Sequence, residues 1–203
     1  MHSQTQRMKL RNYLTSGTIL VVLAGVIFIS GCGGSSGNDS APDPNAAEVS
    51  PPGDIPDNQA FVPFTPPGAD YTVSVPEGWS KTVSAGATTF TDKLNSIEVT
   101  DSKANSAPTT STVEAEVPNL TSTIPGFTNP QVSTVTRSAG NAVLLTYEAT
   151  AKIDPVTSKS GTDAVERYTF FQNGETVTLT LSGPKGADNV DPWMIVTDSL
   201  KWN

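Results

Sequence analysis

The dipeptide Asn173-Gly174 lies between two runs of alternating residues, Val165 to Gln172 and Glu175 to Ser182, and constrains the fold more than any other feature of the chain. Asn-Gly favours the tight turn, with positive φ at both central residues, whose twist matches an antiparallel hairpin. In the second run Val177, Leu179 and Leu181 point to one side, and Thr176, Thr178 and Thr180 to the other, because side chains alternate across a strand. A sheet with an apolar face has to bury it against another layer. The cover must come from the remaining segments.

Further strands follow from the same period of two. Tyr71, Val73 and Val75 alternate with Thr72 and Ser74, after which Pro76-Glu77-Gly78 turns the chain and presents Trp79. Thr88 to Thr91 and Ser96 to Thr100 read as a hairpin with Asp92-Lys93 near its bend, and Gln131 to Arg137 as another strand. Beyond Gly140-Asn141, Val143, Leu145 and Tyr147 alternate with Leu144, Thr146 and Glu148. Two segments carry the helical period instead. Val113, Val117, Leu120 and Ile124 form an amphipathic stripe, and Pro118 inside it predicts a kink or two short helices, since proline lacks the donor and clashes one turn back. Asp191-Pro192 reads as an N-cap with a first-turn proline, opening a helix through Trp202 with Trp193, Val196 and Leu200 on one stripe. The fold class is therefore α+β, helices covering a mostly antiparallel sheet.

The N-terminal quarter has a different grammar. Arg7, Lys9 and Arg11 precede an apolar run from Thr18 to Ile29, too short for a bilayer-spanning helix and of the length and flank of a signal-peptide core. The run ends in Ile29-Ser30-Gly31-Cys32, which resembles the lipobox of bacterial lipoprotein precursors. The resemblance implies cleavage between Gly31 and Cys32 and a diacylglyceryl thioether on Cys32. Two acyl chains hold a protein stably on a membrane where one is marginal, so the expected location is the extracytoplasmic face of the cell membrane, lipid-anchored. From Gly33 to about Gln59 the chain is rich in Gly, Ser, Pro, Asp and Asn, with almost no large apolar residue. Such a segment cannot offset its ordering entropy and reads as a flexible tether. The expected organisation is a removed signal peptide over 1–31, a lipidated linker over 32–60 and one folded domain over 61–203.

The strand Tyr71-Thr72-Val73-Ser74-Val75 with its Pro76-Glu77-Gly78-Trp79 corner resembles the opening of PsbP-type domains. The resemblance continues through the short hairpin, the mid-chain helix, the strand around Tyr147, the hairpin at Asn173-Gly174 and the closing helix, from about Phe61 onward. With the lipobox and tether in front, the chain is similar to the LpqN-type lipoproteins of actinobacteria. The family implies an α/β/α sandwich on a mostly antiparallel sheet and a non-catalytic role. Photosynthetic PsbP proteins have no lipobox, which argues against a photosystem function here.

Composition narrows the chemistry. The one His is His2 and the one Cys is Cys32, so the chain after Cys32 has neither imidazole nor thiol and cannot run Ser-His-Asp or Cys-His catalysis or build a zinc site from those ligands. All 20 acidic residues follow Cys32 against nine basic ones, a net charge of −11. Nucleic acid and anionic head groups are therefore poor partners on electrostatic grounds. The segment Lys185 to Asp191 offers oxygen ligands, but its spacing is not that of a calcium loop and Asp191 has the capping role. No metal or other cofactor is expected. Glu114 and Glu116 fall on different faces of a helix and form no acid/base pair. The candidate contacts for an envelope protein partner are the corner Trp79 and the connection Asp154 to Asp163, whose length exceeds an ordinary hairpin loop; Asp154, Pro155, Lys159 and Asp163 are its charged and rigid positions. A monomeric binding or accessory module is the leading expectation and a carrier of an apolar envelope ligand, lodged between a helix and the sheet, the alternative. An enzyme relying on carboxylates, Ser, Lys or Tyr is the least supported.

Overall fold

The computed structural model describes residues 52–153 and 159–203. Gly31, Cys32, Asp154 and Pro155 lie outside the described residues. In chain order the elements are β1 (Phe61–Phe64), β2 (Tyr71–Pro76), β3 (Ser80–Ser84), β4 (Ala87–Asp92), β5 (Asn95–Lys103), α1 (Thr110–Glu114), α2 (Val117–Thr123), β6 (Thr128–Arg137), β7 (Gly140–Thr150), β8 (Thr162–Gln172), β9 (Glu175–Pro184), α3 (Val190–Asp198) and β10 (Lys201–Trp202). Seven strands form one sheet in the order β3-β4-β5-β9-β8-β7-β6, and β1-β2-β10 form a small second sheet. Every ladder among them is antiparallel. The α+β class read from the pattern is the class observed.

The hairpin that carried the sequence argument is present as expected: Gln172 pairs with Glu175, and Asn173 and Gly174 take φ of +50° and +80°. Val177, Leu179 and Leu181 face a core completed by Ile97 and Val99 of β5, Tyr168 and Phe170 of β8, Tyr71, Val73 and Val75 of β2, Trp193 and Val196 of α3, and Leu200 just beyond it. The opposite face carries a second, smaller core, in which Val143, Leu145, Tyr147 and Val165 meet Val113 of α1 and Phe127, with Val117 and Leu120 of α2 and its C-cap Ile124 against it. Burying side chains of this size stabilises by ~1.5–3 kcal/mol each. The layers are thus α1 and α2 on one face of the sheet, and α3 with the small sheet on the other.

Pro118 divides the mid-chain helix as its chemistry requires. Thr109 and Thr112 close a capping box at the start of α1, and α2 restarts with the proline in its first turn, where a missing N–H costs nothing.

Three expectations are corrected. The last helix begins one residue earlier than Asp191, with Asn189 in the N-cap position, and stops at Asp198 instead of reaching Trp202. Ser199 Oγ accepts from the Ser74 amide at 2.7 Å and donates to the Val196 carbonyl at 2.7 Å, which ties the helix end to β2 and turns Lys201–Trp202 into a strand paired with Thr72 and Tyr71. Two strands, β1 and β3, were not read from the sequence: Pro63 breaks the alternation in the first, and all of the second is exposed. Finally, the folded part starts earlier than Phe61. Ile55 is 3% exposed within the main core, its amide donates to Asn189 Oδ1 at 2.8 Å, and the Gly53 carbonyl accepts from both Asn95 Nδ2 and Asn189 Nδ2.

Candidate functional site

Two recesses flank the second face of the large sheet. The first lies under α2. Cross-strand register sets Arg167, Thr180, Glu98 and Thr89 in one row across β8, β9, β5 and β4, with Thr178 and Thr100 in the next. Beside these rows α2 stands over β7 and β8 and leaves a groove of about 550 Å³, with Asn119 and Leu120 on the helix side and Tyr147 on the sheet side. Arg167 Nη1 donates to Glu116 Oε2 at 2.7 Å across the groove. The pair is partly exposed, so its worth lies more in fixing α2 against the sheet than in stability.

The groove is polar where the rest of this face is closed. The Tyr147 ring is buried against Phe127, centroids 4.7 Å apart, and its hydroxyl makes no hydrogen bond within the described residues. Burial raises its pKa, the Arg167 charge opposes this and Glu98 adds to it. The phenol therefore stays protonated and can donate. Glu98 is half-buried and has no ion-pair partner within the described residues. A phenol donor, a carboxylate acceptor, the Asn119 amide and the hydroxyls of Thr100, Thr178 and Thr180 thus surround one space.

The second recess is a cleft of about 210 Å³ at the end of the sheet where β4 turns into β5 and β9 ends. Lys159 and Asp163, both singled out from the sequence, line it together with Lys93 and Lys152. Burial raises the Asp163 pKa, and Lys152 partly offsets the effect. Ser96 Oγ and Ser182 Oγ, 2.7 Å apart, form part of its wall. Trp79 lines neither recess; it is half-buried and packs on the edge of the main core. The segment Lys185 to Asp191 is engaged internally, the Asp188 amide donating to Asp54 Oδ1 at 3.0 Å and Asp191 lying in the first turn of α3. Among the described residues no group of three His, Cys, Asp or Glu is placed to hold a metal ion, and no helix is long and apolar enough to cross a membrane.

Sequence reasoning missed Tyr147, Arg167, Glu98 and Thr178 as neighbours because they belong to four strands, and only the register unites them. The one available signal was Arg167, a guanidinium on a strand whose same-face neighbours Val165 and Thr169 are uncharged.

No protein-family model matches the chain, and no curated protein matches it. Solved structures similar to it include the cyanobacterial PsbP of Synechocystis, at 16% identity and a TM-score of 0.48 over 71% of this chain and 94% of that one. LpqN of Mycobacterium tuberculosis, described as involved in cell envelope biogenesis, is similar at 16% identity and a TM-score of 0.42 over 71% of this chain and 91% of that one. A protein of Bacteroides thetaiotaomicron is similar at 12% identity and a TM-score of 0.48 over 70% of this chain; the match spans about half of its length, 48%.

Proposed function

We propose that the chain is a lipid-anchored, extracytoplasmic accessory module of the cell envelope that binds a partner protein and catalyses nothing itself. The observation that supports this reading is the groove under α2, where hydrogen-bonding groups without partners converge on an accessible space. Burying such groups against an apolar ligand would leave them unsatisfied, at about 1–3 kcal/mol each. A polar side chain or backbone segment would satisfy them. The groove therefore suits a partner's polar segment better than the chain of a carried lipid. Anchorage rests on the lipobox at Cys32, and the Asp154 to Asp163 connection is a second contact for the same partner.

A photo-crosslinking residue placed at Asn119 in cells carrying the full-length chain tests the reading. One protein should be captured from Asn119, and capture should fail when Glu98 and Arg167 are both replaced by Ala. Absence of any captured protein, together with a lipid co-purifying with the wild type in native mass spectrometry, would replace the accessory reading with the carrier. Mass determination of the mature N-terminus tests the anchor separately, since it should be Cys32 bearing a diacylglyceryl group.

A further inference from the structure

The cleft at the end of the sheet contradicts the charge of the molecule around it. The chain after Cys32 carries −11, yet Lys93, Lys152 and Lys159 line one space of about 210 Å³ in which Asp163 is the one carboxylate among the described lining residues; the Lys93 ammonium also lies 4.0 Å from the exposed Asp92 carboxylate. Ser96 and Ser182 add hydroxyls to the wall. Ammonium groups acting as point charges, with hydroxyl donors beside them, match a tetrahedral oxyanion. A cleft of this volume admits a small anionic group.

Its place in the fold adds a second observation. Gly53 is pinned at this same end: its carbonyl accepts from Asn95 Nδ2 at 2.9 Å, and Asn95 lines the cleft. Pro184, another lining residue, abuts Gly53 so closely that a Cβ there would sit 2.5 Å from the proline Cγ. The first described residues thus lie beside the cleft, and in sequence only residues 33–51 separate Pro52 from Cys32. Resting on the proposed anchor at Cys32, the cleft lies within a tether's reach of the lipid surface. We infer that this cleft is a phosphate-binding site, formed by Lys93, Lys152 and Lys159, that takes the phosphate of an anionic lipid headgroup or of a small soluble phosphate ester. Overall acidity repels an anionic surface at long range, but over the few ångströms of the cleft the local charges dominate, because salt screens the distant ones.

The full chain, purified in nonionic detergent, is titrated by calorimetry with inorganic phosphate, glycerol 3-phosphate, dihexanoyl phosphatidylglycerol and dihexanoyl phosphatidylcholine. One saturable site per chain is expected. The Lys93→Gln/Lys152→Gln/Lys159→Gln variant should bind at least tenfold more weakly, and Lys152→Gln alone should show part of that loss. Equal binding of the soluble phosphates and the phosphatidylglycerol identifies a free phosphate ester as the ligand; binding of phosphatidylglycerol alone identifies the headgroup. The inference is overturned if no phosphate compound binds, if the triple variant binds as the wild type does, or if phosphatidylcholine binds as tightly as phosphatidylglycerol. Repeating the titration with Cys32→Ser separates the two readings, since the cleft should bind phosphate whether or not the anchor is attached.

Discussion

Tyr168 keeps its proton far into the alkaline range, its pKa pushed up to about 12, first by burial and then by the hydrogen bond it donates to Glu166 Oε2 at 2.7 Å. Arg137, whose Nη2 donates to the same phenol oxygen at 3.0 Å, works in the opposite direction and does not prevail. Tyr71, donating to Asp101 Oδ1, is raised further, again mainly by burial, and Tyr147 is raised by burial as well. Unfolded tyrosine ionises near pH ~10, so the folded state holds these protons more tightly than the unfolded one. Their contribution to stability is fully present below about pH 10 and is lost as the pH climbs through about 12. These three are all the tyrosines that follow Cys32. Absorbance at 295 nm should therefore stay flat up to pH ~10 and then rise together with the loss of circular dichroism. Reversible ionisation of all three near pH 10 with the dichroism intact would contradict the burial account.

The elements that sequence periodicity revealed are those whose apolar residues recur: β2, the long hairpin of β8 and β9, and the stripe broken by Pro118. Ile55 shows what periodicity cannot reveal. It is a lone apolar residue between Asp54 and Pro56, so nothing in its neighbourhood repeats, and composition assigns it to the tether. What holds it is a clasp of two buried asparagines. Asn189 Nδ2 donates to Asn95 Oδ1 and to the Gly53 carbonyl at 3.0 Å each, while its Oδ1 accepts from the Ile55 amide. Asn189 is thereby withdrawn from side-chain capping of α3, although it occupies the N-cap position. An Asn189→Ala change leaves at least one buried polar partner unsatisfied and should cost about 1–3 kcal/mol, read as a lower urea midpoint with the slope unchanged. Gly53→Ala should also destabilise, because Gly53 has φ of +99° and Pro184 already fills the space of a Cβ. An undiminished midpoint in both variants would mean that the clasp carries no stability.

For the molecule as a whole, the hairpins and the helical stripes were legible because each depends on local alternation and turns, whereas the order of strands was not, because β5 pairs with the distant β9. The groove was not, since Tyr147, Arg167, Glu98 and Thr178 meet only after four strands are in register. The domain boundary was also misplaced, because a strap that joins the core through one side chain looks like linker in composition. Its energetic weight can be measured. A fragment of residues 61–203 loses the burial of Ile55, comparable to the ~2–5 kcal/mol of emptying such a core position, and opens the asparagine clasp. A fragment of residues 52–203 keeps both. Domains of this kind are stable by only ~5–15 kcal/mol in total, so the shorter fragment should unfold at a clearly lower urea concentration and bind hydrophobic dyes at room temperature. The longer one should match a fragment that begins at Cys32. Equal midpoints for the two fragments would return Gly53 to Gln59 to the linker.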